Sequence, residues 1–232
     1  MFSSAQSELA ATMENNGLEL FFRAEVAPTG FGWLVPLTRG QESRAKVGVM
    51  TAKGSRRALG RLLEDLRAGG RITDPHAQVI VRPLPLSPLA RTYGDRLLAI
   101  GDAAGLVKPT TGGGIYYSLL SARWAAEVVA LAFERGEFSA STLAGYEEEW
   151  RARLGAEIRV GVWFRRLVAK LALSDLDALI RVALTDGIMP VVRRTARFNW
   201  HRELILETIR HPGVSCILLR RMLSRGVGAG PS

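Results

Sequence analysis

Three consecutive glycines, Gly112–Gly114, directly precede the longest apolar helical run of this 232-residue chain. Ahead of them, the run Arg96–Ile100 ends in Gly101-Asp102, which predicts a short buried strand followed by a sharp turn. Glycine lets backbone approach a flat or bulky ligand where a Cβ would clash. The start of a helix also favours negative charge, because its first N–H groups have no intrahelical partner. The segment therefore predicts a strand–loop–helix unit that holds a ligand.

Asp102 adds a lone carboxylate to this turn. A carboxylate accepts hydrogen bonds from hydroxyl groups, and a helix start suits a phosphate or a ring that takes up electrons. The loop and the carboxylate together suit a ligand with a polyol, a phosphate and an electron-accepting ring. An alternative stays open, in which the segment is a plain strand–helix connection capped by Asp102.

Composition excludes several classes of protein. Apolar residues make up 47% and charged residues 23% of the chain, which is an ordinary globular composition and not that of a disordered chain. The single cysteine, Cys216, excludes a disulfide framework and a thiolate zinc site, and it favours a reducing compartment. We interpret Cys216 as a small apolar filler in an amphipathic helix. The three histidines are too scattered to indicate a metal site.

Two features bear on membranes and targeting. The first residues have neither the basic nor the apolar region of a signal peptide. The least polar stretch, Ile115–Phe133, is interrupted by Arg123 and Glu127, so we expect a buried helix of a soluble protein and no transmembrane segment. These features predict a cytoplasmic protein.

The net charge of +9 is confined to the last third of the chain. Residues 1–150 contain 16 basic and 16 acidic residues, whereas residues 151–232 contain 15 basic and 6 acidic ones. The basic residues are nearly all arginine, set among apolar side chains, and no nucleic-acid recognition motif accompanies them. This mixture fits a helical surface that lies peripherally on the inner face of an anionic membrane. A solvated helical face is the alternative.

The order of predicted elements is strands first and helices after, which favours an α+β fold. A hairpin is expected to turn at Thr38–Gln41, and the glycine cluster is followed by a helix that ends near Arg135. A further helix is capped by Ser139 or Ser141, and ion pairs such as Glu147/Arg151 are expected on its far side. The other predicted elements are strands at Leu18–Val26, Phe31–Leu37, Ala45–Thr51 and Gln78–Arg82, and helices at Ser55–Arg67, Ser174–Asp186, 200–210 and 214–225.

The string IGDAAGLVKPTTGGGIYYSLLSARWAAE, residues 100–127, resembles the second FAD-binding motif of the p-hydroxybenzoate hydroxylase-like flavoproteins, and within them the geranylgeranyl reductase family. The resemblance implies FAD as the cofactor, with Asp102 on the ribityl chain. It places backbone of Gly101, Ala103 and Gly105 near the ribityl-pyrophosphate. The segment that the resemblance places along the pyrimidine side of the flavin ring consists of Pro109, Thr111, Gly112, Gly113, Gly114 and Ile115.

A second resemblance lies upstream, where residues 27–36 read APTGFGWLVP. This string is similar to the aromatic substrate-side motif of the same family, and it implies that Phe31, Trp33 and Pro36 contact the substrate. Phe31, Trp33 and Val35 alternate along a predicted strand and so share one face of it. The family usually has an aromatic residue where this chain has Val35. In the alternative interpretation these side chains only pack a core sheet.

Family members begin with a strand–GxGxxG–helix unit, and no GxGxxG occurs in this chain. The resemblance therefore implies the C-terminal part of such an enzyme, with the N-terminal dinucleotide-binding unit missing or supplied as a separate chain. The family's candidate cysteine proton donor lies in that missing part, so no catalytic residue is assigned. Tyr116 and Tyr117 are interpreted as packing residues, and donation of a proton near the flavin is the alternative. The implied segments are the rest of a substrate-binding sheet with one helix at 1–95, the FAD-binding strand–loop–helix at 96–136 and a helical region at 137–232.

These resemblances imply a reductase that saturates C=C bonds in prenyl chains of lipids or pigments, with electrons from NAD(P)H or another donor. A flavin monooxygenase or halogenase of the same superfamily is the alternative among enzymes. A non-catalytic, membrane-binding remnant that has lost its cofactor is the alternative outside them.

Overall fold

The computed structural model describes residues 2–12, 17–23, 25–27, 29–40, 42–73, 78–185 and 187–226. The chain divides into two compact units, Met1–Pro85 and Leu86–Ser232. The first unit contains an antiparallel sheet with one helix, and the second is mainly helical. The predicted α+β class is confirmed. Residues 96–136 and the helical region after them, separated in the sequence analysis, lie in one unit.

The first unit is a five-stranded antiparallel sheet in the order β2-β3-β4-β1-β5. The strands β3 and β4 form the predicted hairpin, which turns at Gly40 with φ +61°; Gln41 lies outside the described residues. Helix α1 follows β4 and packs on β1 and β4. The elements are β1 (Phe2–Ala10), β2 (Glu19–Phe21), β3 (Phe31–Arg39), β4 (Glu42–Thr51), α1 (Ser55–Ala68) and β5 (Ile80–Leu84).

Two strands of this sheet differ from the predictions. Strand β1 was not predicted, although it lies between β4 and β5; its buried residues Ala5, Ser7 and Leu9 alternate with more exposed ones. The alternation is easily missed because one buried position is a serine. The predicted strand Leu18–Val26 is reduced to the three residues of β2, and Val26 is buried outside any strand.

The second unit begins with a short hairpin and continues through helices. Its core is formed mainly by the facing sides of two long helices, whose buried aromatic residues include Tyr117, Trp124, Tyr146 and Trp150. The elements are β6 (Tyr93–Gly94), β7 (Leu97–Leu98), a 3₁₀ helix (Gly101–Ala104), α2 (Ile115–Arg135), α3 (Ala140–Val168), α4 (Leu173–Thr185), α5 (Ile188–Thr195), α6 (Arg202–Arg210) and α7 (Pro212–Gly226).

The prediction of a buried strand at Arg96–Ile100 is wrong. Only Leu97–Leu98 is strand, paired with Tyr93–Gly94, and the side chains of Leu97 and Ile100 are 58% and 41% exposed. The helix predicted after the glycines is present. Helix α2 has the predicted length, ends at Arg135 and is capped by Gly136, and one of its faces is buried.

The helix caps are partly as predicted. Ser139 caps α3 by accepting a hydrogen bond from the Thr142 N–H, at 3.3 Å. Glu147 was expected on the side of α3 that faces away from the core, but its side chain is mostly buried. Its carboxylate accepts hydrogen bonds from the N–H and hydroxyl of Thr92, at 2.7 and 2.9 Å, as well as pairing with Arg151. The carboxylate therefore ties α3 to the chain that leads into β6.

The helices near the end of the chain contain two further differences. Helix α5 was not predicted, because Pro190 stands inside it; the proline is tolerated in the first turn, where its missing N–H would have no intrahelical partner. Cys216 lies on α7 as expected but is exposed, so its interpretation as an apolar filler is wrong. Asp186, the expected end of α4, lies outside the described residues. Among the described residues no helix is long and apolar enough to cross a membrane.

Candidate functional site

The turn after β7 is built around Gly101. Its φ of +53° lies in the left-handed region, and a Cβ there would overlap the side chain of Ser118 on α2. The Gly101 N–H donates to Ser121 Oγ at 3.0 Å, and this hydroxyl donates to the Ser118 carbonyl at 3.0 Å. The turn is therefore held directly against the first two turns of α2.

Asp102 follows in the 3₁₀ turn with an exposed side chain. The carboxylate lies beside Gly114, where a Cβ would overlap Oδ1. No side chain caps the start of α2, so the alternative in which Asp102 caps this connection is not supported. Within the described residues this carboxylate has no hydrogen-bond donor, and it is free to accept bonds from the hydroxyl groups of a ligand.

Gly105 closes the turn with a second left-handed conformation, φ +71°, and a Cβ there would overlap the carbonyl of Ser87. Its N–H donates to the Asp102 carbonyl at 3.0 Å, and the next N–H donates to the Gly101 carbonyl at 2.9 Å. Ala103 is exposed between these bonds. Residues 101–105 thus form a rigid backbone surface with small side chains.

The loop Lys108–Gly113 is closed by two backbone hydrogen bonds between its ends. The Lys108 N–H donates to the Gly113 carbonyl at 3.1 Å, and the Gly112 N–H donates to the Lys108 carbonyl at 2.8 Å. Pro109 is buried against Gly161 of α3, where a Cβ would come within 3.1 Å of the proline ring. Thr111, in contrast, is exposed. The loop therefore has one face packed on α3 and another that is open.

The start of α2 faces the same region. Gly114 stands at the N-cap position without a side-chain cap, the first turn contains no acidic residue, and Ile115 is 83% exposed. The first N–H groups of the helix and its dipole together favour an anion or a polarisable ring at this point. The Asp102 carboxylate lies beside this helix start, at Gly114.

Lys108 was not singled out from the sequence, although it lies inside the predicted motif. Its side chain is buried beneath the loop, and Nζ donates to the Phe198 carbonyl and to Asn199 Oδ1, both at 3.2 Å. The ammonium group also lies 4.4 Å from the centre of the Phe198 ring. Burial lowers the pKa of Lys108. This residue connects the glycine loop to the segment between α5 and α6.

Two further contacts fix the loop, and neither was predicted. Arg165 of α3 donates from Nη1 to the carbonyls of Pro109 and Thr110, at 2.9 and 3.3 Å. Burial lowers the pKa of Arg165 to about 10. The Thr110 hydroxyl lies 2.6 Å from Nδ1 of His201. Sequence patterns could not reveal these partners, because they lie 55 to 91 positions away.

Tyr117 and Tyr116 both pack against neighbouring groups at the start of α2. The Tyr117 ring is buried and its hydroxyl donates to the Asn199 carbonyl at 3.1 Å. Burial, with the nearby Glu157 and Tyr116, raises the pKa of Tyr117. Tyr116 packs edge-on against Trp200, with ring centres 6.1 Å apart.

The upstream candidates lie on β3 in the first unit. Phe31, Trp33 and Val35 share the face opposite to buried Leu34, as the alternation predicts. The Phe31 and Trp33 rings are 5.9 Å apart, and Trp33 Nε1 donates to Gln6 Oε1 at 3.3 Å. These rings therefore cover a sheet face and are not part of the core with α1. Pro36 follows on the same strand, half-buried.

No family model matches the chain. Curated relatives do match it. A digeranylgeranylglycerophospholipid reductase 2 of Methanothermobacter thermautotrophicus is 35% identical over 186 residues, which are 77% of this chain and 46% of the relative. Another of the same name, from Methanopyrus kandleri, is 32% identical over 204 residues, which are 83% of this chain and 50% of the relative.

A solved structure has the same fold. The geranylgeranyl bacteriochlorophyll reductase-like protein of Thermoplasma acidophilum superposes with a TM-score of 0.71 at 22% identity, over 95% of this chain and 54% of that one. The chain spans about half the length of the curated relatives it matches. Over most of its length, this chain is therefore similar to digeranylgeranylglycerophospholipid reductases.

Proposed function

We propose that this chain is the part of a FAD-dependent reductase that holds the flavin ring and the prenyl substrate. The enzyme saturates C=C bonds in prenyl chains of lipids or pigments. The names of the curated relatives support this reaction class, and they do not support a monooxygenase or halogenase. The observation that carries the proposal is the geometry of residues 101–115, where a free carboxylate and an uncapped helix start meet at a glycine-lined surface.

The residues present fit a flavin. Asp102 would accept hydrogen bonds from the ribityl hydroxyls, and the backbone of Gly101, Ala103 and Gly105 would hold the ribityl-pyrophosphate. A Cβ at Gly114 would fill the place of the Asp102 carboxylate, so the glycine preserves this acceptor. The residues that would hold the pyrimidine side of the ring are those of the second loop: Pro109, Thr111, Gly112, Gly113, Gly114 and Ile115.

FAD, when bound and reduced, supplies a hydride to one alkene carbon, and an acid protonates the other. The chain's own part is electrostatic and geometric. The N–H groups at the start of α2 stabilise negative charge on the pyrimidine side, and no acidic residue in that turn opposes them. Phe31 and Trp33, which share one face of β3, provide an apolar wall that aligns the prenyl chain and excludes water. Pro36, which was expected beside them, falls on the opposite face by the same alternation.

The remaining partners follow from the same proposal. NAD(P)H or another donor reduces the flavin, and a dinucleotide-binding half, as a separate chain or as further sequence, holds its ADP portion. The basic, arginine-rich region 151–232 binds an anionic membrane surface in which the prenyl-lipid substrate is dissolved.

A binding experiment tests which half of the cofactor this chain binds. The purified chain should bind riboflavin or FMN, which contain the ring and the ribityl chain, and quench their fluorescence. It should not bind ADP. Asp102→Asn should weaken riboflavin binding by roughly ten- to a hundredfold, because it removes a charged hydrogen-bond acceptor. Fluorescence titration measures both results.

The matched control is Glu148→Gln, which neutralises an exposed carboxylate on α3. It should leave the affinity for riboflavin unchanged. If Asp102→Asn and Glu148→Gln bind riboflavin equally well, the assignment of Asp102 is wrong. If the wild-type chain binds neither riboflavin nor FMN, the proposed cofactor role of residues 101–115 is wrong.

A further inference from the structure

Lys108 holds a buried positive charge directly against the glycine loop. Its side chain is only 7% exposed. A Cβ at Gly113 would lie 2.9 Å from Lys108 Cε and 3.4 Å from Nζ, so the ammonium group packs on the backbone of this glycine. The Lys108 N–H donates to the Gly113 carbonyl at 3.1 Å and keeps the loop closed around the side chain. The cation therefore lies beside the backbone that forms the candidate ligand surface.

The ammonium group has hydrogen-bond acceptors but no counter-ion in the part of the chain that the structure describes. Nζ donates to the Phe198 carbonyl and to Asn199 Oδ1, which are both neutral groups. It forms no ion pair with Asp102, whose carboxylate lies beside Gly114. Burial lowers the pKa of Lys108, whereas a neighbouring carboxylate would raise it. Because buried charges in proteins are normally paired, Lys108 is suited to balance an anion at the loop.

The groups around Lys108 do not neutralise it. Arg165 of α3 donates to two carbonyls of the same loop and adds positive charge, and the first turn of α2 contains no acidic residue. Glu157 of α3 accepts hydrogen bonds from the N–H groups of His201 and Arg202, so its charge is held by the start of α6. The charges near the loop therefore favour an anionic ligand over a neutral one.

A flavin ring changes its charge when it is reduced. The oxidised ring is neutral, and two electrons with one proton convert it into an anion with a single negative charge. A positive charge near the ring therefore favours the reduced form and raises the reduction potential. We propose that the Lys108 ammonium group balances the negative charge that a flavin ring gains on reduction at this loop. The inference rests on the proposed function and adds a side chain to the contribution of the helix start.

Riboflavin is the probe for this inference, because its oxidised form has no charge that Lys108 could bind directly. Fluorescence titration of the purified chain gives the affinity for oxidised riboflavin. The midpoint potential of the bound flavin, measured by spectroelectrochemistry, then gives the affinity for the reduced form. Lys108→Met should weaken the binding of reduced riboflavin roughly tenfold more than that of oxidised riboflavin, because it removes one nearby charge. For a two-electron couple, this factor lowers the midpoint potential by about 30 mV.

Asn199→Asp separates the charge of Lys108 from its packing. The new side chain has nearly the same shape and keeps an acceptor in the place of Oδ1, 3.2 Å from Nζ, but it pairs the ammonium group with a carboxylate. If Lys108 only holds the loop in place, this stronger bond should leave the midpoint potential unchanged. If its charge acts on the ring, Asn199→Asp should lower the midpoint potential, as Lys108→Met does.

Lys170→Met is the matched control, since it removes the same charge from an exposed position in the same unit. It should leave the midpoint potential unchanged and the affinity for oxidised riboflavin within about twofold, because water and salt screen an exposed charge. Circular dichroism of all three variants checks that the helical unit is folded.

Two results would overturn the inference and leave the proposed function unaffected. The first is a midpoint potential that Asn199→Asp leaves unchanged, and this result decides even where Lys108→Met fails to fold. The second is an equal decrease of the midpoint potential in Lys108→Met and Lys170→Met, which would show an effect of net charge alone. A wild-type chain that does not bind riboflavin would overturn the proposed function and the inference together.

Discussion

At the scale of single residues, glycines determine the shape of the candidate site. Gly101 and Gly105 have left-handed backbone, and at both positions a Cβ would overlap neighbouring atoms. The sequence motif predicted close backbone approach at these positions, and the structure gives the reason within the chain itself. The backbone of Gly101 lies close to Ser118, and that of Gly105 lies close to Ser87, so both positions need glycine even without a ligand.

Replacing Gly101 with alanine should therefore lower the free energy of unfolding of the second unit by about 2 kcal/mol or more. The left-handed conformation costs an alanine about 1–2 kcal/mol, and the overlap with Ser118 adds to that cost. Denaturant unfolding, followed by tryptophan fluorescence, measures the loss.

Gly145→Ala is the matched control for this substitution. Gly145 lies inside α3, where an added Cβ would be in ordinary contact with Val128, at 3.9 Å. This change should stabilise the unit by about 0.5–1 kcal/mol, as alanine does in helix interiors. Equal effects of the two substitutions would show that the Gly101 backbone is not constrained.

At the scale of elements, the long helices and the hairpin could be predicted from periodicity, whereas the short elements could not. The boundaries of α1 and α2 and the β3–β4 pairing follow from local patterns that tertiary contacts reinforce. Strand β7 has only two residues and is defined by its pairing with β6, which no local pattern indicates. The missed contacts of the glycine loop, from Lys108 to Phe198 and from Arg165 to Pro109, likewise join residues distant in sequence.

Glu147 connects two elements and has a testable pH dependence. Although burial raises its pKa, hydrogen bonds from Thr92 and the pairing with Arg151 outweigh that effect, so the pKa of Glu147 is lowered in the folded protein. A carboxylate with a lowered pKa stabilises the fold above its unfolded pKa of about 4.3, and this contribution is lost as the pH falls through the lower, folded value.

Glu147→Gln should therefore reduce the free energy of unfolding by about 1–3 kcal/mol at pH 7. The difference from wild type should stay constant down to about pH 5 and shrink at lower pH. Glu149→Gln is the control, because the Glu149–Arg153 pair is more exposed and contributes little. Urea unfolding across the pH range measures both, and a constant difference at all pH values would contradict this account of Glu147.

At the scale of the whole molecule, part of the basic region 151–232 lines a groove along helix α3. Arg159 and Arg166 of α3 line a groove of about 530 Å³ together with Trp163 and Leu89. Trp163 is 48% exposed, and both arginines are exposed without an acidic partner among the described residues. Exposed arginines around an exposed tryptophan are suited to the interface of an anionic membrane.

The proposed membrane association can be tested on this groove. The chain should float with vesicles of phosphatidylcholine and phosphatidylglycerol but not with phosphatidylcholine alone, and binding should fall as salt screens the charges. Replacing Arg159 and Arg166 with glutamine should reduce binding by more than tenfold, at about 1 kcal/mol per charge near the surface. The control replaces the exposed Arg56 and Arg57 of α1 with glutamine, which removes the same net charge. If both double variants lose binding equally, the attraction comes from net charge alone and the arginine groove has no special part in it.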